Sequence, residues 1–537
     1  MKKQARGILI ISSAIFAVFL VIPMVMIFKE SFMGDYGFST KFYKDIFLEL
    51  ELFTILKRSF AVSLGSAIIT TMMAFSVAYT IHATKVSSRA KRIIKLLTML
   101  PMFLPTITYG FAIIYAFGKN GLITKIFGGR QFFEVYGAPG IMLGYIVYTL
   151  PVAFVLINNT MSYIDKKYWV VSHVLGDKPF RSFYSTMLRP LASTLMASVV
   201  QSFSLCFTDY GIPMAVGGKY KVIATTLYNQ MLGSLPDFNR GSAVAIIMLL
   251  PSVASILLLT YLERTNISYK VISDIELRKN KIRDTFWGGL SVLICLFVVG
   301  IFLTVIVVPS VQGWPYDLRL TTKHFESVFS DNELVRTYKN SLLVAGSTAL
   351  IGVIFVYATG LVSVRSNLKK NSKRLMGNIA LVTNTIPGMV LGIAYMLTFK
   401  KTPLQNTFIL IIISTIIHYY ATPLLMMKSS LEKLDPTWET TAKLMGDSWF
   451  RTVFRVVTPN VVSTLAEIFA YYFVNAMVTV SAVIFIVGAH TMLLTTKIKE
   501  LEHYQQFDDI FVLSILILVT NLIVKGVTTL IIKKRKR

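Results

Sequence analysis

Apolar residues in this chain gather in runs of about twenty, separated by short polar stretches rich in lysine and arginine. An α-helix rises 1.5 Å per residue, so a run of roughly 20 apolar residues is long enough to cross the hydrocarbon core of a bilayer. The pattern predicts twelve such helices, at 7–28, 59–82, 96–118, 137–160, 191–216, 241–262, 286–308, 341–364, 376–399, 407–427, 461–488 and 510–532. The expected fold class is therefore an all-α polytopic membrane protein. The first run, from Gly7 to Phe28, exceeds the apolar core of a typical signal peptide, and no small-residue cleavage site follows it. It is expected to be retained as a helix.

The basic residues give the expected orientation. Lys2, Lys3 and Arg6 precede the first run. Lys85, Arg89, Lys91, Arg92 and Lys95 follow the second, and Arg365, Lys369, Lys370, Lys373 and Arg374 follow the eighth. The chain ends Lys533-Lys534-Arg535-Lys536-Arg537. With an even number of spans, all of these fall on one side. The excess of Lys and Arg in loops on the cytoplasmic face makes that side the cytoplasm, with both termini inside.

The polar stretches repeat. Leu175-Gly176-Asp177-Lys178-Pro179-Phe180-Arg181 is answered by Met445-Gly446-Asp447-Ser448-Trp449-Phe450-Arg451, and Ser193-Thr194-Leu195 by Ser463-Thr464-Leu465. Nearer the start of each half, Ser59 and Val62 match Ser341 and Val344, while Pro105, Gly110 and Ala112 match Pro387, Gly392 and Ala394. Six spans per half preserve orientation, so the repeat is parallel, about an axis along the membrane normal. The expected domains are a first half at 1–262, a cytoplasmic linker at 263–285 carrying Arg278, Lys279, Lys281 and Arg283, and a second half at 286–537. A duplicated polar loop implies a duplicated contact with a two-fold partner.

Composition narrows the function. Hydrophobic residues make up 54% of the chain and charged residues 15%, which excludes an ordinary soluble enzyme. The net charge of +27 sits in short loops, where it reads as a topology signal and not as a nucleic-acid surface. The only cysteines, Cys206 and Cys295, lie inside apolar runs, so neither a disulfide framework nor a Cys-x-x-Cys metal site is expected. No Gly-x-x-x-x-Gly-Lys-Ser/Thr phosphate loop occurs, nor any nucleophile triad, His-Glu-x-x-His or carboxylate pair that would suggest catalysis.

Asp435-Pro436 can start a helix, with Asp as N-cap and Pro at the first position, and Gly446 can end it in a left-handed conformation. Residues 434–446 (LDPTWETTAKLMG), followed by Val456-Val457-Thr458-Pro459, resemble the EAA loop of ABC importer permeases. Ala442, Gly446 and Pro459 take matching positions. Glu439 stands one residue before the usual acidic position, and Thr458 replaces a Leu. The first copy departs further, with Trp169-Val170-Val171-Ser172 in place of the Glu and small residues, although Gly176 and Asp177 persist.

The resemblance extends over nearly the whole chain, to the fused, double-length permeases that serve ferric iron, 2-aminoethylphosphonate, thiamine and polyamines. Residues 207–213 (FTDYGIP), Gly217-Gly218, 236–241 (PDFNRG), 386–392 (IPGMVLG) and 473–483 (FVNAMVTVSAV) look closest to the 2-aminoethylphosphonate branch, with ferric iron as the alternative. It implies a cell (inner) membrane permease with coupling loops at Glu439, Ala442, Gly446, Asp447, Gly176 and Asp177. Its implied partners are two copies of a cytoplasmic ATPase, which would carry ATP and Mg, and a periplasmic or extracellular solute-binding protein.

Polar groups at membrane depth tend to face a cavity or the bundle interior. Candidates for a translocation path are therefore Glu467 and Asn475 in the eleventh span, Asn384 in the ninth and Asp209 in the fifth; His418 in the tenth is read as packing. Pro105 and Pro387, at equivalent places in the repeat, are candidates for paired kinks. An ion-coupled secondary transporter, relying on Glu467 and Asp209, is the rival of a different class.

Overall fold

The computed structural model describes residues 2–34, 37–131, 133–165, 167–264, 280–366 and 368–536. Arg278 and Lys279 of the expected linker lie outside them. In chain order the main helices are α1 (Gln4–Ser31), α2 (Leu50–Ala83), α3 (Ser88–Met99), α4 (Thr106–Phe117), α5 (Ala138–Met161), α6 (Lys167–Val174), α7 (Pro179–Thr208), α8 (Gly211–Val216), α9 (Ile223–Leu232) and α10 (Phe238–Arg264). They continue with α11 (Lys281–Ser310), α12 (Asn332–Arg365), α13 (Lys370–Thr385), α14 (Gly388–Phe399), α15 (Phe408–His418), α16 (Ala421–Glu432), α17 (Thr437–Leu444), α18 (Trp449–Val478), α19 (Leu494–His503) and α20 (Phe507–Arg535). Strand among the described residues is confined to two short antiparallel hairpins, β1 (Met33–Gly34) with β2 (Gly37–Phe38), and β3 (Val311–Gly313) with β4 (Asp317–Leu320).

Among the described residues nine helices are long and apolar enough to cross a membrane, or up to twelve if three bent pairs each count as one span. Two of the bends fall at Pro105 and Pro387, where paired kinks were expected, and the third, between α15 and α16, was not expected. Ser88–Phe103 meets Thr106–Ile126 at 112°, α13 meets α14 at 99°, and α15 meets α16 at 57°. The first two corners have a shared cause. A proline forces the residue before it out of the helical region, and Leu104 and Ile386 are both extended, at φ −117° ψ 148° and φ −88° ψ 115°. Pro105 and Pro387 then lead into α4 and α14. By contrast, Pro151 and Pro251 lie within continuous helices.

Spans 191–216 and 461–488 also end earlier than expected. α7 stops at Thr208 and α18 at Val478. Asp209 and Thr479, one residue beyond, are extended with nearly the same angles, φ −76° ψ 134° and φ −68° ψ 134°. The two halves thus break at equivalent residues.

Three short π-helical turns have a sequence cause too. Ala17–Val21, Tyr184–Leu188 and Val453–Val457 each end two residues before a proline: Pro23, Pro190 and Pro459. A proline ring clashes with the carbonyl four residues back and offers no N–H. The wider turn makes room, and the amides of Ile22, Arg189 and Thr458 reach back five residues to Ala17, Tyr184 and Val453. The proline of the second half stands one position earlier in the repeat, and its π turn moves with it.

Two matched serines have the same role. Ser59 Oγ accepts the amide of Ile223 at 2.8 Å, and Ser341 Oγ accepts the amide of Leu494 at 2.8 Å. Each serine satisfies an otherwise orphaned amide at the start of α9 or α19. Ser341→Ala is expected to lower stability by about 1 kcal/mol, as loss of a helix cap does. Thermal unfolding in detergent checks it, with Ser59→Ala giving a matching loss.

The chain divides into two compact units that are not its sequence halves. One comprises Met1–Asp45, Leu227–Leu249 and Phe325–Arg537; the other comprises Ile46–Thr226 and Leu250–His324. In the first unit, the Phe16 ring of α1 packs tilted against Phe355 at 5.5 Å and edge-on against Tyr420 at 4.8 Å, and Tyr395 Oη donates to the Phe19 carbonyl at 2.6 Å. In the second, Thr80 of α2 is hydrogen-bonded to Ser291 of α11 at 2.7 Å, and Tyr79 packs on Trp287 at 4.6 Å. The opening helix of each sequence half is therefore packed among helices of the other half.

Candidate functional site

The repeated Gly-Asp loops are built alike. Asp165 Oδ1 accepts the amide of Lys167 at 2.9 Å, and Asp435 Oδ1 accepts that of Thr437 at 2.9 Å. This is the N-cap contact expected of Asp435. The Thr437 amide and hydroxyl hold the Asp435 carboxyl below its usual range.

Both helices end on a left-handed glycine, Gly176 at φ +73° and Gly446 at φ +81°. The amide of Asp177 then bonds the Ser172 carbonyl at 3.1 Å, and the amide of Asp447 bonds the Ala442 carbonyl at 2.9 Å. Leu175 and Met445 make the adjoining bonds to Val171 and Thr441. This six-to-one closure satisfies the last helical carbonyls and turns the chain sharply. Each aspartate side chain then braces the turn, Asp177 against Arg181 at 3.2 Å and Asp447 against Arg451 at 3.1 Å.

Two of the expected coupling residues point inward. Ala442 is buried, as is Ser172 at the equivalent place, so the small side chain there allows close packing against the chain itself. Glu439 pairs through both carboxylate oxygens with Arg365, the last residue of α12. The residues that face outward are apolar ones that the sequence reading passed over. Val174, Leu175 and Phe180 in the first loop, and Leu444, Met445 and Phe450 in the second, are all between 55% and 84% exposed. They occupy matching positions of the repeat, and that match was the available signal.

The loops are held differently. In the first, the Trp169 ring lies 5.9 Å from the Arg283 guanidinium and 6.2 Å from the Tyr79 ring. In the second, Glu439 and Arg365 supply an ion pair.

The path candidates separate. Asp209 is a structural cap, buried and accepting the amide of Ile212 at 3.0 Å, with Gly211 and Thr106 also bonded to it. Glu467 and Asn384 are exposed. Asn475 is half-buried and donates to the Tyr471 carbonyl at 2.7 Å. Glu467, Tyr471 and Asn475 follow at i, i+4 and i+8, along one side of α18. His418 is half-buried, with Tyr419 edge-on at 4.6 Å. Pro105 and Pro387 form the corners described above.

The sequence profile of the binding-protein-dependent transport system inner membrane component family matches residues 71–268 and, a second time, 357–537. Each match encloses one Gly-Asp loop. The chain belongs to this family. It is a double-length, type I ABC importer permease, a multi-pass protein of the inner membrane and a transport subunit, which sets aside the ion-coupled carrier. A putative ferric transport system permease of Haemophilus influenzae is 25% identical over 493 residues, 88% of this chain and 76% of the relative. A ferric transport system permease of Actinobacillus pleuropneumoniae is 25% identical over 499 residues, 89% and 71% of the two chains. A thiamine transport permease of Brucella suis is 28% identical over 151 residues, 27% of each.

Proposed function

We propose that this permease passes ferric iron across the inner membrane, driven by two copies of a separate ATPase that dock on the two Gly-Asp loops. The observation that carries the docking is the matched pair of glycine-ended helices, each presenting the same outward apolar trio. ATP and Mg belong to those partners, and an external solute-binding protein delivers the cargo. The loops and both chain termini face the cytoplasm on this reading, as the distribution of Lys and Arg requires.

Each loop passes motion to the helices that hold it. A strip along α18, with Glu467, Tyr471 and Asn475, offers oxygen and amide groups to a hard cation or its ligands. Ferric iron takes precedence over 2-aminoethylphosphonate because the two relatives that match almost nine-tenths of the chain carry ferric names.

The test is uptake of radiolabelled ferric iron and radiolabelled 2-aminoethylphosphonate in cells with and without the gene. Iron uptake is expected to fall at least tenfold without it, and phosphonate uptake to stay unchanged. Loss of phosphonate uptake alone overturns the substrate and leaves the importer standing. Uptake that survives ATP depletion while the ion gradient is kept would overturn the ATP-driven mechanism.

A further inference from the structure

Arg365 is the last residue of α12, and its side chain is 7% exposed. Its guanidinium makes four hydrogen bonds to the second Gly-Asp loop. Nε and Nη2 take the two oxygens of Glu439. Nη1 donates to the Leu434 carbonyl at 2.8 Å, and Nη2 also donates to the Asp435 carbonyl at 2.9 Å. The Glu439 side chain is itself only 12% exposed. A planar fork with donors at fixed angles is thereby fastened at once to the carbonyls that precede α17 and to the first turn of α17. A lysine has the charge and not the fork.

The sister loop shows that this fastening is not needed to make the loop. α6 reaches the same glycine-ended closure, although the residue equivalent to Arg365 is Ala83 and the residue equivalent to Glu439 is Trp169. That loop rests on Tyr79 and on Arg283 through its indole ring. A bidentate ion pair with two further carbonyl bonds fixes both distance and angle.

The geometry points to Arg365 as a positioning residue that locks α17 to α12, so that displacement of the second loop is delivered to that helix as a rigid movement. Glu439, held by Arg365, serves as the inner anchor and not as a contact for the ATPase. The inference rests on the reading that these loops dock the ATPase.

The experiment is hydrogen exchange on the full complex with its ATPase in lipid nanodiscs, without nucleotide and with ATP and vanadate. It follows four segments: 437–444 (α17), 359–365 (end of α12), 167–174 (α6) and 77–83 (end of α2). In the unmodified protein 437–444 and 359–365 are expected to change together. In Arg365→Ala the loop still responds, the response of 359–365 falls to less than about a third, and 77–83 is unchanged. Arg365→Lys is expected to resemble Arg365→Ala, and the exchanged pair Arg365→Glu with Glu439→Arg to recover more than about half of the response.

A full response of 359–365 in Arg365→Ala overturns the proposal. Should Arg365→Ala fail to insert, the exchanged pair decides: recovery supports the lock, and an inserted but unresponsive pair refutes it. If neither loop responds in the unmodified complex while the ATPase remains bound, the docking reading itself fails, an outcome distinct from failure of the lock.

Discussion

Aspartate at both Leu444 and Met445 strips the ATPase from the second loop and lowers uptake about a hundredfold or more. Both side chains project from the end of α17 and are at least 80% exposed, so replacing them costs the fold little. On docking they would be buried. Full burial of each stabilises by about 1.5–3 kcal/mol, and an unpaired carboxylate in the same place costs more. A total of about 4 kcal/mol corresponds to roughly a thousandfold weaker contact. Copurification of the ATPase with the purified permease, alongside uptake in cells, makes the measurement. Normal copurification with normal uptake would sink the docking surface described above. The matching change at Val174 and Leu175 shows how much of the contact each loop supplies.

The second large effect is steric and differs between the halves. A Cβ on Gly110 would stand 2.3 Å from the Cβ of Ala215, whereas a Cβ on Gly392 would stand 2.4 Å from the carbonyl oxygen of Ala482. Both glycines lie where the helix after a proline corner, α4 or α14, meets the segment that follows the break at Asp209 or Thr479. Gly110→Ala and Gly392→Ala are each expected to destabilise by about 3 kcal/mol, as forced overpacking does. They separate on rescue. Ala215→Gly removes the obstructing methyl and restores most of the stability of Gly110→Ala. No side-chain change removes a backbone oxygen, so Gly392→Ala has no such partner. Thermal unfolding of the purified protein in detergent distinguishes the two, and equal rescue in both halves would show that the corners are not packed as described.

The repeat was the most legible feature, because it is written in residues that cannot be exchanged. Ser59 and Ser341 each supply an oxygen at the start of a helix, Pro105 and Pro387 each turn a corner, and Gly176 and Gly446 each take a left-handed angle. Number and rough place of the spans followed from apolar length. The kinks at Pro105 and Pro387 were legible from their equivalent places in the repeat, but hydropathy alone does not separate a proline that breaks its helix, as Pro105 does, from one that does not, as Pro151. The capping role of Asp209 was not legible for a related reason. A carboxylate inside an apolar run signals either a cavity or a cap, and its partner, the amide of Ile212, is a backbone group that sequence does not mark. Glu439 was legible as important but not in its direction, since its partner Arg365 lies 74 residues away along the chain.

The exchange of opening helices between the sequence halves also dictates an order of events at birth. Phe19 and Tyr395, joined by a hydrogen bond, are 376 residues apart. At about 5–20 residues per second of synthesis, α1 emerges roughly 20–75 s before that partner exists. During that interval the newborn helix stands in lipid without its finished neighbours, and the unit it belongs to closes only near the end of translation. The residues of α1 that stay exposed after assembly, Ile10, Ile11, Val21, Ile22 and Val25, are strongly apolar. They suit a segment that must first be content with acyl chains alone and only later acquires a protein face. A chain cut after its first half would leave α1 waiting indefinitely, with an intact sequence half that never becomes a structural one.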